Sequence, residues 1–365
     1  MIEPRPKAIY PPIIAVFNHK GGVAKTTTSG NLATCLAAFG YRVVLADLDA
    51  QGNATGSFGI LPLPPIGAMD VITGRVRLED ALIPTQFPGL SLLPATTQLR
   101  TAEMELAAHE RSHQALREAF ASQNIGSHAH IVIIDCPPSL GTITGNALSA
   151  AAAVLIPARA DPYSHEGLVN TWHEIKRLRQ GANASLTVAG ILLTMTGEDA
   201  AGDDVARSMR AEFGDQVYGV SIESDAKVTE AAQLGVPVAV LDPDGGAGHN
   251  YLQATAELIL RLRRHARHDI STLAEPLSMV DAQNTLRDWR ARLPGLQRRA
   301  NDAPAWTAVQ AANPDSDEDP GPSPLNAPPP PPRAGFGWGA MVLAVILGAM
   351  LGAMTVFLYN SIAGH

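Results

Sequence analysis

Short apolar runs alternate with longer stretches of helical periodicity along residues 13–268. The apolar runs lie at 13–17, 42–46, 90–93, 131–134, 154–156, 187–193 and 217–222, and the helical stretches include 26–39, 98–120, 166–179 and 249–268. Strands that are buried on both faces are apolar throughout, and parallel strands need helical crossovers between them. The pattern therefore predicts an α/β fold with one doubly wound, mostly parallel sheet, in a domain that spans residues 1–270.

The pattern changes three times after this domain. Residues 271–312 carry several arginines and predict a partly helical basic linker, either a solvated helix or a segment that contacts anionic lipid. Residues 313–334 are rich in proline and acidic residues, which predicts a disordered, extended tether. Residues 335–360 contain an uncharged stretch of about 20 residues, the length that crosses a bilayer, and predict one C-terminal transmembrane helix.

The charges beside this predicted span give an expectation for location. Arg333 precedes the span, and no lysine or arginine follows it. Because basic flanks stay on the cytoplasmic side of a membrane, the sequence predicts a single-pass protein of the inner membrane whose large domain is cytoplasmic.

Composition narrows the classes of function. Hydrophobic residues make up 46% of the chain and charged residues 17%, which excludes a highly charged, disordered protein. The two cysteines, Cys35 and Cys136, exclude a disulfide scaffold and a multi-cysteine zinc site. The net charge is −8, so binding to nucleic acid would need a local basic patch.

The strongest chemical motif follows the first apolar run and reads KGGVAKTT. Glycines let backbone N–H groups turn towards phosphate oxygens, and the helix that follows favours an anion at its N-terminus. Lys25 would supply a positive charge to the phosphates, and the Thr26 hydroxyl would bind Mg²⁺. The predicted nucleotide-binding residues are Lys20, Gly21, Gly22, Val23, Ala24, Lys25, Thr26 and Thr27.

Carboxylates follow two other predicted strands. Asp47 and Asp49 end the second run, and Asp135 ends the run at 131–134. Ligands of open α/β sheets bind at the carboxyl ends of the strands, where a carboxylate can bind Mg²⁺ through water or orient an attacking water. A turn rich in Asp, Gly and Asn is the alternative interpretation of residues 47–53.

These motifs resemble the ParA/Soj family of partition ATPases, whose phosphate loop carries an additional lysine. The resemblance spans residues 13–268 and includes the stretches 93–106, 140–148 and 155–168. It implies the phosphate-loop NTPase fold and an ATPase that uses ATP and Mg²⁺. It also implies slow hydrolysis, a homodimer formed around ATP, and a partner protein that stimulates turnover.

The resemblance also implies roles for individual residues. Lys20 and Asp49 correspond to the catalytic pair: the lysine reaches the partner subunit's nucleotide, and the aspartate orients the hydrolytic water. Thr26, Asp47 and Asp135 correspond to residues around the metal ion.

The sequence departs from the family in the half that contacts DNA. Residues 196–225 contain eight acidic residues and only two arginines, and Glu-Ser-Asp at 223–225 replaces the Pro-Arg-Asn that helps to frame the adenine. Because an acidic surface repels phosphate backbones, DNA is a doubtful partner. The sequence predicts a membrane-tethered ATPase that positions or segregates a cargo. The alternatives are a nucleoid-binding partition ATPase and an ATP-gated scaffold with little turnover.

Overall fold

The computed structural model describes residues 11–99, 106, 113–161, 164–181, 183–197, 199–264 and 275–302. The chain divides into two compact units, Met1–Ala312 and Asn313–His365, and every described residue belongs to the first. The predicted tether at 313–334 and the predicted span at 335–360 lie outside the described residues.

The described residues form one eight-stranded sheet. Its strands are β1 (Ile13–Val16), β2 (Val43–Asp47), β3 (Ile83–Pro84), β4 (Leu90–Leu93), β5 (Ile131–Asp135), β6 (Ala153–Arg159), β7 (Thr187–Thr196) and β8 (Ile222–Glu223). Their order across the sheet is β3-β4-β2-β5-β1-β6-β7-β8. All neighbouring strands are parallel except β3 and β4, which confirms the predicted mostly parallel sheet.

Helices connect these strands. They are α1 (Lys25–Ala38), α2 (Asn53–Gly56), α3 (Ala68–Ile72), α4 (Leu78–Ala81), α5 (Ala115–Ser122), α6 (Ile125–His128), α7 (Thr142–Ala150), α8 (Ser164–Gln180), α9 (Ala200–Phe213), α10 (Ala226–Gln233), α11 (Val238–Leu241), α12 (Gly246–Arg264) and α13 (Met279–Asp302). A short 3-10 helix, Gly214–Gln216, follows α9.

The sheet is buried on both faces. All residues of β1, β2 and β5 are buried, and alternate side chains join two different hydrophobic clusters. Ile14 and Val16 pack with α1 and α12, whereas Ile13 and Ala15 pack with residues of α5, α7 and α8. The carboxyl ends of the central strands are therefore held rigidly by two helical layers, and the loops that follow them start from fixed positions.

The segment after α12 packs against this core. Helix α13 buries Ala282, Leu286, Trp289 and Leu293, which recur every three or four residues and so form one face. The Trp289 ring lies 5.3 Å from the ring of Phe87. Residues 279–293 therefore belong to the same packed body as the sheet.

The helices that the structure describes contradict the predicted location in the inner membrane. None of their helices is both long enough and apolar enough to cross a bilayer. The two longest, α12 and α13, alternate their apolar side chains with charged ones, including Glu257 and Arg261 on α12 and Arg287 and Asp288 on α13.

Candidate nucleotide-binding site

The loop between β1 and α1 has an open inner surface. A Cβ atom added to Gly21 or Gly22 would meet no atom within 4 Å, so packing requires neither glycine. Gly22 and Ala24 have φ angles of +72° and +62°, in the left-handed region that favours glycine. The space beside these backbone groups, which a Cβ would fill, suits a phosphate that approaches N–H donors closely.

Buried contacts fix this loop to the neighbouring strands. The Asn18 side chain donates to the carbonyl of Pro157 at 2.8 Å and accepts from the backbone N–H of Lys20 at 3.0 Å. The Thr194 hydroxyl donates to the carbonyl of Val23 at 3.3 Å. The loop is thereby tied to β6 and β7, which limits its freedom before any ligand binds.

The two lysines of the loop point to different places. The Lys25 Nζ atom donates to the carbonyl of Lys20 at 3.0 Å, so its side chain curls back over the loop. Burial lowers the pKa of Lys25, and the charge of Asp135 opposes this shift. The Lys20 Nζ atom instead donates to both carboxylate oxygens of Asp161, at 2.9 and 3.0 Å, and to the Ser164 hydroxyl at 2.8 Å.

Asp135 ends β5 beneath the loop and is fully buried. Its two carboxylate oxygens accept hydrogen bonds from the hydroxyls of Thr26, at 2.9 Å, and Ser29, at 2.8 Å. Burial and, to a smaller extent, the nearby carboxylate of Asp47 together raise the pKa of Asp135 to about 7, although the two hydrogen bonds oppose the shift. Asp135 thus positions the hydroxyl that the sequence assigns to the metal ion.

Asp47 occupies the matching position at the end of β2, directly paired with Asp135 in the sheet register. Its Oδ2 atom accepts from the backbone N–H of Thr55 at 2.8 Å and from the Thr55 hydroxyl at 2.7 Å, and its Oδ1 atom accepts from the N–H of Asp49 at 3.1 Å. Burial raises the pKa of Asp47 to about 6 although these hydrogen bonds oppose the shift. The carboxylate therefore organises the whole turn that carries Asp49.

Asp49 is half-buried at the beginning of this turn. Its Oδ1 atom accepts from the backbone N–H of Gln51 at 2.9 Å. Gly52 closes the turn with a φ angle of +65°, and a Cβ atom there would overlap the side chain of Leu63. The tight turn holds Asp49 at the carboxyl end of β2, on the side of the sheet where the phosphate loop lies.

The donor set fits a magnesium ion that is bound together with a nucleotide. Within the described ranges, no group of three His, Cys, Asp or Glu side chains could hold a metal by itself. Mg²⁺ typically uses one or two carboxylates, water and substrate phosphates. Asp47 and Asp135 are adjacent, buried and raised in pKa, and a divalent cation would offset the repulsion between their charges.

Comparison with known proteins agrees with this geometry. A family model described as an AAA domain matches residues 12–188. The chain is 38% identical over 253 residues to the chromosome partitioning protein ParA of Caulobacter vibrioides, an alignment that covers 69% of this chain and 95% of that protein. It is 36% identical over 248 residues to the sporulation initiation inhibitor protein Soj of Bacillus subtilis, and this alignment covers 67% of the chain and 97% of Soj.

The chain belongs to the ParA family of ATPases. A solved structure of cobyrinic acid a,c-diamide synthase from Mycobacterium smegmatis, with a bound ATP analogue and magnesium, is 30% identical to it with a TM-score of 0.60. The similarity covers 73% of this chain and 99% of that structure. The predicted family, ATPase activity and cofactors, ATP and Mg²⁺, are confirmed for this ParA-family protein.

In this ParA-family ATPase, the structure brings most of the predicted site residues together. Thr26 donates to Asp135, whose charge also acts on Lys25, and Asp47 and Asp49 adjoin this group at the end of β2. Lys20 lies apart, against β6 and α8. The sequence analysis missed several residues that hold these groups in place: Asn18, Ser29, Thr55, Asp161 and Ser164.

Proposed function

We propose that this ParA-family ATPase is an Mg-ATP-dependent dimerisation switch that positions or segregates a cargo in the cell. The observation that carries the proposal is the divergence of the two loop lysines. Lys25 lies over its own phosphate loop, whereas Lys20 is directed away from that loop and towards Asp161. A lysine that does not face the nucleotide of its own subunit can reach the nucleotide that is bound by a second copy of the chain.

The residues of the site have distinct roles in this proposal. The backbone of residues 20–27 binds the phosphates, and Lys25 neutralises their charge. Thr26, Asp47 and Asp135 would hold a magnesium ion and its water, and a bound magnesium ion would offset negative charge on the phosphates. The hydrogen bond to Asp135 orients the Thr26 hydroxyl in the first turn of α1, directly after the phosphate loop.

Asp49 and Lys20 carry the chemical step of the proposed reaction. Asp49 orients the attacking water, because its carboxylate stands at the edge of the site rather than within the buried pair. Lys20 of the partner subunit stabilises the charge that develops on the phosphates. Each site is complete only in the dimer, so hydrolysis alone is slow, and a partner protein that aligns these groups would accelerate it.

Mixing two inactive variants tests the proposal. A Lys20→Ala chain retains Asp49, and an Asp49→Ala chain retains Lys20, so a mixed dimer contains one site with both groups. ATP hydrolysis should be low for each variant alone and recover in the mixture. Lys176→Ala, which removes an exposed lysine of α8, is the matched control and should hydrolyse ATP as the unmodified chain does. A mixture no more active than the sum of its parts would refute the exchange of Lys20 between subunits.

A second candidate function is that of a partition ATPase that binds DNA. The similarity to the chromosome partitioning proteins ParA of Caulobacter vibrioides and Myxococcus xanthus favours this function. The described surface of α9 argues against DNA as the partner, since Arg207 pairs with Asp204 and Arg210 donates to the carbonyl of Tyr218. Both arginines of this region are therefore already engaged.

A further inference from the structure

A buried hydroxyl of helix α8 holds the entrance of the phosphate loop. The Thr171 side chain is fully buried, and its Oγ1 atom accepts from the backbone N–H of His19 at 3.2 Å. The same hydroxyl lies 3.0 Å from the Asn18 Oδ1 atom and 2.9 Å from the carbonyl of Gly167, and these two acceptors share its single proton. Thr171 therefore contacts two consecutive residues of the segment that leads from β1 into the loop.

Asn18 extends this contact to Lys20. The Asn18 Oδ1 atom that faces Thr171 also accepts from the backbone N–H of Lys20 at 3.0 Å. The Asn18 Nδ2 atom donates to the carbonyl of Pro157 on β6 at 2.8 Å, so both ends of this buried amide have partners. The Thr171 hydroxyl thus holds the backbone of His19 directly and the backbone of Lys20 through Asn18.

Helix α8 also borders the side chain of Lys20. Gly167 lies about one turn before Thr171 on this helix. A Cβ atom added to Gly167 would lie 3.4 Å from the Cβ atom and 3.6 Å from the Cδ atom of Lys20, so the lysine stem runs along the helix at this glycine. One turn of α8 therefore defines both the backbone position of Lys20 and the first part of its side-chain path.

Other groups hold the rest of the phosphate loop. The Thr194 hydroxyl on β7 donates to the carbonyl of Val23, and the Thr26 hydroxyl donates to Asp135 on β5. Neither contact involves α8. Loss of the Thr171 hydroxyl should therefore shift the loop entrance, where Lys20 lies, and leave residues 23–26 in place.

We infer that Thr171 is a positioning residue for Lys20, whose hydroxyl fixes the direction in which Lys20 leaves its own subunit towards the nucleotide of the partner subunit. The inference rests on the proposed function, in which Lys20 acts on the partner's nucleotide. The Thr171 hydroxyl then has to act in the subunit that donates Lys20, and not in the subunit that binds the nucleotide undergoing hydrolysis.

The first test separates hydrolysis from nucleotide binding in the full-length chain. Thr171→Val removes the hydroxyl and should lower kcat about tenfold, the effect of one lost buried hydrogen bond on a positioned group, while the affinity for a fluorescent ATP analogue stays unchanged. Thr171→Ser keeps the hydroxyl and should restore most of kcat. Thr229→Val makes the same change at an exposed position of α10 and should hydrolyse ATP normally. Equal losses of kcat and nucleotide affinity in Thr171→Val would indicate a general role in the loop and overturn the inference.

Mixed dimers show in which subunit the hydroxyl acts. Asp49→Ala chains supply Lys20 and Lys20→Ala chains supply Asp49, so their mixture contains one complete site. Adding Thr171→Val to the Asp49→Ala chain should lower the activity of the mixture about tenfold, because this chain donates Lys20. Adding it to the Lys20→Ala chain should have no effect, and the activity of that mixture also shows that a chain with Thr171→Val folds and binds nucleotide.

The outcomes distinguish this inference from the proposed function. Equal losses in the two mixtures, a loss only when the Lys20→Ala chain carries Thr171→Val, or no loss in either mixture would overturn the role of Thr171 and leave the exchange of Lys20 intact. If the mixture without Thr171→Val recovers no activity, the exchange of Lys20 between subunits fails, and this inference fails with it.

Discussion

At the scale of single residues, Ala24 combines an ordinary side chain with a backbone conformation that suits glycine. Its φ angle of +62° lies in the left-handed region, and the residue directly precedes the first turn of α1. For a residue with a Cβ atom, this conformation costs about 1 kcal/mol or more. The loop therefore stores strain next to Lys25, where the nucleotide is proposed to bind.

Relieving this strain should stabilise the protein. We predict that Ala24→Gly raises the free energy of unfolding by about 1 kcal/mol, measured by urea denaturation. Ala121→Gly makes the same chemical change at an exposed position within α5 and should lower it by a similar amount, because glycine weakens a helix. Losses of equal size in both variants would show that the conformation of Ala24 is not strained.

Asp47 and Asp135 make the stability of the nucleotide-free protein depend on pH. In the unfolded chain both carboxyls ionise near 3.8, whereas in the folded protein their pKa values are about 6 and about 7. Between these limits the folded state binds more protons than the unfolded state. Stability is therefore lost as the pH rises from about 4 to about 7.

Removing one of the two charges should flatten this dependence. We predict that the free energy of unfolding, measured without nucleotide or magnesium, decreases from pH 5 to pH 8 in the unmodified chain and decreases less in Asp135→Asn. Asp203→Asn removes an exposed carboxylate of α9 and should leave the pH profile unchanged. Parallel profiles for all three proteins would exclude the buried pair as the cause.

The site was predictable where a residue lies within a continuous motif. Lys25, Thr26 and Asp135 are found from the loop and from the strand that ends in an acid. Ser29 lies one helical turn after Lys25, a spacing from which it could have been inferred. Asp161 could not have been inferred from the sequence, because its contact with Lys20 joins positions 141 residues apart and depends on β6 lying next to β1 in the sheet.

At the scale of secondary structure elements, apolar runs identified the buried strands but missed amphipathic and edge elements. The strands β1, β2, β4, β5, β6 and β7 all fall within or beside predicted runs. The short antiparallel strand β3 has only two residues, one of them proline, and no apolar run marks it. Helix α9 covers residues 200–213, for which the sequence analysis predicted neither a strand nor a helix. Asp199 caps it by accepting from the N–H of Gly202.

Helix α13 shows how an element gains its position from packing. Its first turn is stabilised by Ser278, whose hydroxyl accepts from the N–H of Asp281 and donates to its carboxylate. On the outer side, Arg287 pairs with Asp244 in the loop that precedes α12. The inner side buries Trp289 against Phe87, so the helix covers apolar surface of α1 and α11 that would otherwise face water.

The contribution of α13 to stability is testable at Trp289. We predict that Trp289→Ala lowers the free energy of unfolding by about 3 kcal/mol, because it removes a large buried side chain and leaves a cavity beside Phe87. Arg290→Ala changes the next residue, which is exposed, and should alter it by less than about 0.5 kcal/mol. An unchanged stability for Trp289→Ala would mean that α13 is not bound to the core in solution.

At the scale of the whole molecule, the distribution of charge sets which partners the protein can hold. The full chain has a net charge of −8. Among the described residues of the region 196–225, Asp203, Asp204 and Glu212 lie on one helix, α9, and Arg207 is paired with Asp204. Non-specific affinity for DNA comes mainly from lysine and arginine side chains that neutralise phosphates and release counterions. The exposed acidic side chains of α9 supply the opposite charge.

We therefore predict weak or absent binding of the full-length chain to duplex DNA at physiological salt, with ATP and magnesium present. Fluorescence anisotropy of a labelled duplex, measured over a range of salt concentrations, gives both the affinity and its salt dependence. Neutralising Asp203, Asp204 and Glu212 to their amides should increase binding at low salt, since it removes repulsion and releases Arg207 from its pair with Asp204. The control neutralises Glu79, Asp80 and Glu118, which lie on α4 and α5, and should increase binding less. Tight, ATP-dependent and salt-sensitive binding by the unmodified chain would contradict the prediction and favour the DNA-binding partition ATPase, because such affinity would require a basic surface that outweighs the acidic side chains of α9.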